Sequence, residues 1–228
     1  MENKYFGTDG IRGTVNQKNI TGEKFFKFGL AAANYFKNQK KTKQIAIIAK
    51  DTRLSGYTLE PALVSGLASG GMHIFTLGPL PTNGLAMLTK TLKANMGIMI
   101  TASHNPASDN GFKLFNHLGH KICPADESFI ERSLPEQAPH GNAKHTESEA
   151  SFRKYLQHLE NVMKGNVLHD WVIALDTANG ATSRSTRIAL ERFGAKVEQI
   201  GEASENRLIN DGVGSEHPDR LAELTLEK

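Results

Sequence analysis

Apolar and polar positions follow two rhythms along the first half of the chain. Phe25, Phe28, Ala32 and Phe36 recur three or four positions apart, which is the spacing of one buried helix face, and Thr21 is placed to cap that helix. Short apolar runs predict buried strands over residues 44–50, 73–78, 96–101 and 111–116. Helices are predicted between the first three strands, one capped by Thr58 and one over residues 83–92. Strands that alternate with helices predict an α/β fold with a mainly parallel sheet and flanking helices.

The pattern weakens after residue 121 and resumes near residue 171. Residues 135–150 are polar and rich in turn formers, so they predict a surface excursion, and residues 151–163 predict an amphipathic helix. The stretch "WVIALDTANGA" begins a new strand and turn, before a helix, a strand over 195–200 and a last helix over 217–228. We therefore predict one domain over residues 1–165 and the start of a second, similar domain over residues 166–228. The first should be stable alone and the second looser, because its sheet is unfinished.

The composition of the chain limits the kinds of binding partner that we expect. The formal net charge of +3 over 228 residues gives no reason to expect nucleic acid, although it leaves a small anionic ligand open. The single cysteine, Cys123, excludes an internal disulfide, and we expect Cys123 and Trp171 to pack inside. The sequence has no apolar signal core and no run of about 18 apolar residues, so we expect a cytoplasmic protein with no membrane partner.

Candidate chemistry gathers in loops that follow the predicted strands. In parallel sheets, ligands bind at the carboxyl ends of the strands. The loop "KDTRLSG" contains Lys50 and Arg53, and the loop "TASHNPASDNG" contains three consecutive candidates, Ser103, His104 and Asn105. Lys113 lies on the strand that follows. Near the start, "FGTDGIRG" sets Arg12 among glycines that allow a close backbone approach to a ligand.

Each of these residues also has an ordinary structural interpretation. Arg12 can be the surface arginine of a glycine-rich turn, Lys50 and Arg53 can be charges of a helix-entry loop, and Lys113 can be a plain strand lysine. His104 can act as a base for its neighbour, but adjacent side chains usually point apart, and a histidine in a polar loop is more often a hydrogen-bonding partner. The stretch "TASHNP" is also not the G-x-S-x-G turn of hydrolases.

Together, anion-binding groups and a serine at one sheet edge indicate a phosphate-handling site. Phosphoryl transfer needs positive groups, an in-line acceptor and usually magnesium. Asp9, Asp51 and Asp109 lie in separate loops, so a magnesium site is open but no motif supports it.

Three stretches in combination resemble the α-D-phosphohexomutases: "KYFGTDGIRG", "KDTRLSGY" and "TASHNPASDNGFKLF". The stretch "DTANGA" and the pair His217–Pro218 resemble the start of that family's second domain. The resemblance implies that Ser103 is carried as phosphoserine. Its phosphoryl group passes to a sugar monophosphate, a sugar bisphosphate forms, and the sugar's original phosphate returns to the serine.

The resemblance also implies roles for the other candidates. Arg12 and Lys113 assist proton transfer and stabilise the moving phosphoryl group, and His104 belongs to the same catalytic set. Asn105, Lys50 and Arg53 would bind the phosphosugar substrate. The phosphate of Ser103 would be a ligand of Mg²⁺, and a sugar bisphosphate would activate the protein.

Members of the family are longer and have four domains. The metal loop, the sugar-selecting loop and the distal phosphate loop of the family are not found in this sequence. We therefore expect an incomplete piece, without domains III and IV, that works with a complementing C-terminal half. "FGTDGIRG" and "RLSGY" favour the branch that interconverts glucosamine 6-phosphate and glucosamine 1-phosphate for UDP-N-acetylglucosamine and peptidoglycan precursors. Phosphomannomutase or phosphoglucomutase activity stays open, as does a truncated, non-catalytic sugar-phosphate-binding or interaction module.

Overall fold

Two sheets organise the chain in the computed structural model, which describes residues 5–37, 44–135, 143–204 and 207–226. The strands are β1 Ile11–Thr14, β2 Ile45–Lys50, β3 His73–Pro79, β4 Met96–Ile100, β5 Asp109–Asn116, β6 His145–Glu147, β7 Val172–Asp176 and β8 Lys196–Ile200. The helices are α1 Gly22–Lys37, α2 Gly56–Ser69, α3 Thr82–Thr91, α4 Pro124–Arg132, α5 Ala150–Val162, α6 Ser185–Arg192 and α7 Asp219–Leu226.

The larger sheet has the strand order β1-β5-β4-β2-β3-β6. Strand β2 pairs in parallel with β3 and β4, and β3 pairs in parallel with β6. Strand β5 is antiparallel to both of its neighbours, β4 and β1. The predicted α/β class with a mixed, mainly parallel sheet and flanking helices is confirmed. We call the elements from β1 to α5 the first unit.

Alternation along the strands builds a core on each face of this sheet. On one face, Ile98 and Phe112 pack with apolar residues of α1 and α2. On the other, Met99 and Phe115 pack with Leu85 of α3 and with α5. Consecutive residues of β4 thus serve opposite cores, which explains why its sequence is apolar throughout rather than alternating.

The second unit consists of the parallel pair β7-β8 with α6 and α7. Its apolar residues are less well covered, since Trp171 is 61% exposed and Val172 is 51% exposed. The expectation that Trp171 and Cys123 pack inside was wrong, because both are exposed. The division at residues 165 and 166 falls between α5 and β7 and stays a prediction as a domain boundary.

Three elements of the first unit were not predicted. Strand β1 lies where the sequence indicated a glycine-rich turn, and helix α4 buries only Glu127 and Ile130, which is too little for a clear apolar stripe. Strand β6 has three exposed residues and falls within the predicted surface excursion, of which residues 136–142 lie outside the described residues. The end of the last predicted helix, residues 227–228, also lies outside them.

Helix α2 starts earlier than expected. It begins at Gly56, so Thr58 lies inside the first turn, where its hydroxyl donates to the carbonyl oxygen of Ser55 at 3.0 Å instead of capping the helix. Across the described ranges, no helix is both long and apolar enough to span a membrane.

Candidate functional site

Residues 101–109, which we call the serine loop, connect β4 to the start of β5. Ser103 and His104 are exposed in this loop. The backbone of Ser103 is in the left-handed region, with φ of 57°, and its N–H donates to the hydroxyl oxygen of Thr101 at 2.9 Å. A non-glycine residue in this conformation costs free energy and persists only where the surroundings hold it. The surroundings of the loop therefore hold the backbone of Ser103 in this conformation, and its side chain is exposed.

Arg53 supplies that hold. Its side chain is fully buried, and every N–H of its guanidinium donates a hydrogen bond within the protein. The acceptors are Asp51 Oδ2 at 3.0 Å for Nε, the carbonyl oxygens of Pro106 at 2.5 Å and Asp109 at 2.9 Å for Nη1, and those of Ser103 and Asn105, both at 2.9 Å, for Nη2. In this structure Arg53 has no donor left for the substrate phosphate that the sequence analysis expected it to bind.

Asp51 extends the same network to the serine backbone. It is 5% exposed, and its carboxylate accepts from the backbone N–H of Arg53 at 3.1 Å and from the hydroxyl of Thr101 at 2.7 Å. That hydroxyl in turn accepts the N–H of Ser103. The buried charge of Asp51 is thus paired and hydrogen-bonded, which is the condition under which such a charge is tolerated.

Lys50, at the end of β2, contacts two residues of α2. Its ammonium lies 2.5 Å from Glu60 Oε2 and 4.5 Å from the ring centre of Tyr57. It borders a cleft of about 690 Å³ between the two units, whose lining also includes Leu54 and Leu208. Its predicted role in binding substrate stays a prediction.

Two cations meet one carboxylate on the neighbouring strands. Lys113 Nζ lies 2.7 Å from Asp9 Oδ2, and Arg12 donates to the same oxygen. Burial alone would raise the pKa of Asp9, but the hydrogen bond and charge of Lys113 and the charge of Arg12 outweigh it, so the pKa is lowered. In the part of the chain that the structure describes, the buried Nε of Arg12 has no hydrogen-bond partner. An unpaired buried donor beside this carboxylate suits an added anion.

Strand pairing explains why these cations share a face. Arg12 of β1 lies opposite Gly111 of β5, and Lys113 is two residues further along β5, so both side chains point the same way. A Cβ at Gly111 would lie 1.9 Å from the carbonyl oxygen of Ile11, so only glycine allows the strands to approach. The N–H of Thr101 donates to the carbonyl oxygen of Gly111 at 3.0 Å, which ties this register to the start of the serine loop.

The remaining predicted residues shape the loop or its surroundings. Asn105 donates from Nδ2 to Asp109 Oδ2 at 2.9 Å, so it connects the middle of the serine loop to its end. His104 borders an open cleft of about 550 Å³ together with Glu216 and His217 of the second unit. The structure brings Ser103, His104 and Asn105 together in one loop, and it brings Arg12 and Lys113 together on the adjoining strands.

One residue of the site was missed by the sequence analysis. Asn210, from the second unit, donates from Nδ2 to the carbonyl oxygens of Ser103 at 3.0 Å and Asn105 at 2.9 Å. Its stretch, "NDG", is typical of a turn, and its φ of 60° agrees with that. The available signal therefore indicated a turn and not a contact with the serine loop.

A magnesium site is not complete within the described residues. Over the ranges that the structure describes, no group of three or more histidine, cysteine, aspartate or glutamate side chains could hold a metal ion. Magnesium prefers octahedral oxygen coordination. The described residues therefore do not form a magnesium site by themselves.

The fold and the site together define an α/β protein with an exposed serine in a hydrogen-bonded loop and with two cations on the adjoining strands. Residues 3–140 match the family model described as phosphoglucomutase/phosphomannomutase, alpha/beta/alpha domain I. The match covers more than half of the chain, and the chain belongs to this phosphohexomutase family.

Relatives extend the similarity beyond the matched domain. A phosphoglucosamine mutase from Pelagibacter ubique is 55% identical over 230 residues, covering 97% of this chain and 52% of the relative. One from Caulobacter vibrioides is 40% identical, covering 98% of this chain and 51% of the relative. A crystal structure of a phosphoglucomutase/phosphomannomutase family protein from Burkholderia thailandensis has a TM-score of 0.81 at 20% identity, over 100% of this chain and 50% of that one, which supports the fold. The chain spans about half the length of the curated relatives it matches.

Proposed function

We propose that this chain carries the phosphoserine half of a phosphoglucosamine mutase. The reaction interconverts glucosamine 6-phosphate and glucosamine 1-phosphate through phosphoserine at Ser103 and a sugar bisphosphate. Support comes from the 55% identity to the Pelagibacter ubique phosphoglucosamine mutase over 97% of this chain. The same identity favours glucosamine phosphates over the mannose and glucose phosphates of the related mutases.

The observation that carries the proposal is the position of Ser103. Its side chain is exposed, its backbone is in the left-handed region, and its carbonyl oxygen accepts a hydrogen bond from Arg53. A phosphoserine used for transfer must be reachable by a sugar hydroxyl while its backbone stays fixed, because in-line transfer depends on position. Arg53 meets the second need from inside the protein. We propose it as a positioning residue rather than the phosphate ligand expected from the sequence.

In the proposed transfer step, one bond forms, one breaks and one proton moves. A hydroxyl oxygen of the sugar phosphate attacks the phosphorus of phosphoserine, the bond between phosphorus and Ser103 Oγ breaks, and the proton of the sugar hydroxyl ends on Oγ. Lys113, held by Asp9, is suited to deliver that proton and to stabilise the negative charge on Oγ. Arg12 is suited to bind the transferring group, because its Nε is free of partners among the described residues.

Magnesium and a sugar bisphosphate complete the proposal. The phosphate of Ser103 would be one ligand of Mg²⁺. A sugar bisphosphate would supply the phosphoryl group that first loads Ser103. His104 and Asn105 would keep the loop in its transfer conformation, and Lys50 would contact the phosphosugar from the cleft between the units.

The test is phosphoryl loading of Ser103. The chain is incubated with Mg²⁺ and glucosamine 1,6-bisphosphate, alone and with the C-terminal half of the Pelagibacter ubique relative, and its intact mass is measured. We expect the mass of one phosphoryl group to be added in at least one of the two conditions. Ser103→Ala should abolish the gain, whereas Ser108→Ala, which removes another exposed serine of the loop, should leave it unchanged.

Turnover of glucosamine 6-phosphate with the C-terminal half added would support the full reaction. Loading that persists in Ser103→Ala, or no loading under either condition, would refute the assignment of the phosphoserine. The second result would favour a non-catalytic sugar-phosphate-binding module.

A further inference from the structure

The serine loop is held from two sides, by a residue of each unit. The carbonyl oxygens of Ser103 and Asn105 both accept from Arg53 Nη2 on the core side. The same two oxygens both accept from Nδ2 of Asn210, which is 107 positions from Ser103 along the sequence. A carbonyl oxygen has two lone pairs, so each can take both donors at once. The carbonyl of Ser103 belongs to the peptide group that directly follows the strained backbone of Ser103, and the carbonyl of Asn105 lies two peptide groups further along the loop.

Asn210 is itself fixed within the second unit. Its own N–H donates to the carbonyl oxygen of Ala178 at 2.9 Å, which anchors it to the turn after β7. Asn179 of that turn donates from Nδ2 to the carbonyl oxygen of Leu208 at 2.8 Å, close to Asn210 in sequence. The side chain of Asn210 therefore reaches the serine loop from a braced position and not from a free tail.

A second contact seats the same turn on the first unit. The hydroxyl of Thr52, next to Arg53, donates to the carbonyl oxygen of Asn179 at 2.6 Å. The turn after β7 thus touches the loop that carries Arg53, while Asn210 touches the loop that carries Ser103. Movement of the second unit away from the first would break both contacts together.

We propose that Asn210 is a positioning residue that couples the seating of the second unit to the conformation of the serine loop. The significance for phosphoryl transfer rests on the proposed function, but the coupling itself does not. With the second unit seated, the carbonyls of Ser103 and Asn105 have two donors each. With it displaced, Arg53 holds them alone, and the left-handed backbone at Ser103 loses part of its support.

Hydrogen exchange followed by mass spectrometry tests the coupling on the 228-residue chain without any need for turnover. Asn210→Gly removes the side chain and keeps a residue that accepts φ of 60°. Asn210→Asp keeps the size and shape but replaces the donor with a carboxylate. We expect both variants to exchange about 5- to 30-fold faster in peptides from the serine loop, the factor for losing one to two net hydrogen bonds of about 1 kcal/mol each. Peptides from β2 and β7 should be unchanged.

Asn16→Gly is the matched control, because Asn16 is exposed and has a φ of 62°. It should leave exchange of the serine loop as in the parent chain. Unchanged loop exchange in Asn210→Gly would overturn the proposal, and so would faster exchange spread equally over β2. Protection kept in Asn210→Asp would also overturn it, because packing and not donation would then be responsible. If Ser103 never accepts a phosphoryl group, the proposed function is wrong. The exchange experiment would still test the coupling, because it does not depend on phosphoryl transfer.

Discussion

Replacing Arg53 is the sharpest test of how the serine loop is held. Arg53→Lys keeps the positive charge but offers three N–H donors in place of five. At least two of the hydrogen bonds to Asp51 and the loop carbonyls must therefore be lost. Hydrogen bonds to charged groups contribute about 1.5–3 kcal/mol each, and after relaxation of the loop we expect the free energy of unfolding to fall by about 2–4 kcal/mol.

Arg53→Met should cost more, because it also leaves the carboxylate of Asp51 without its cation at 5% exposure. Removing one partner of a buried ion pair costs about 3–5 kcal/mol. Domains have total stabilities of about 5–15 kcal/mol, so this variant lies near the limit of folding, and Arg53→Lys is the variant to rely on.

The assay is urea unfolding followed by far-ultraviolet circular dichroism. Arg187→Lys and Arg187→Met are matched controls, because Arg187 is an exposed arginine whose Nε pairs with Glu191, and neither should change the midpoint measurably. If Arg53→Lys unfolds with the parent chain's midpoint and slope, the guanidinium network does not stabilise the loop.

Three further results are expected. Gly111→Ala should lower the free energy of unfolding by about 3 kcal/mol or more, since its Cβ would meet the carbonyl oxygen of Ile11 at 1.9 Å, whereas Gly7→Ala, with 3.6 Å to its nearest neighbour, should be tolerated; urea unfolding of both decides this. The folded-state pKa of Asp9 is lowered below its ordinary 3.8, so the stabilisation from its charge is present above pH 3.8 and is lost as the pH falls through the folded-state pKa. In Asp9→Asn, the melting temperature should therefore depend less on pH in this range. An unchanged dependence would count against the cation contacts. Amides of the two-stranded β7-β8 sheet should exchange faster than those of β2, because isolated two-stranded sheets are marginal, and equal protection would contradict this.

The strands and helices that pack against the core were predictable from the sequence. Strand β4 is buried along its whole length and β2 at its four central residues, and their apolar runs are the direct result. Strand β1 was not predictable in the same way. Of its four residues, two are partly exposed and one is exposed, so β1 shows neither an apolar run nor a clear alternation. Its position depends on pairing with β5, a contact across about a hundred residues that no local pattern encodes.

The roles of the site residues divide on the same principle. Ser103 lies exposed in the loop that the sequence predicted after the third apolar strand, whereas its role as phosphoserine came from the family resemblance and stays a prediction. Arg53 lies in an equally distinct motif, yet four of its five acceptors are backbone carbonyls, which every residue has, so no residue type in the sequence could indicate them. Asn210 meets the same carbonyls from another unit. A charged residue in a motif can thus be assigned to a candidate site from the sequence while its partners stay hidden, and only the folded arrangement distinguishes a residue that binds the ligand from one that holds the loop.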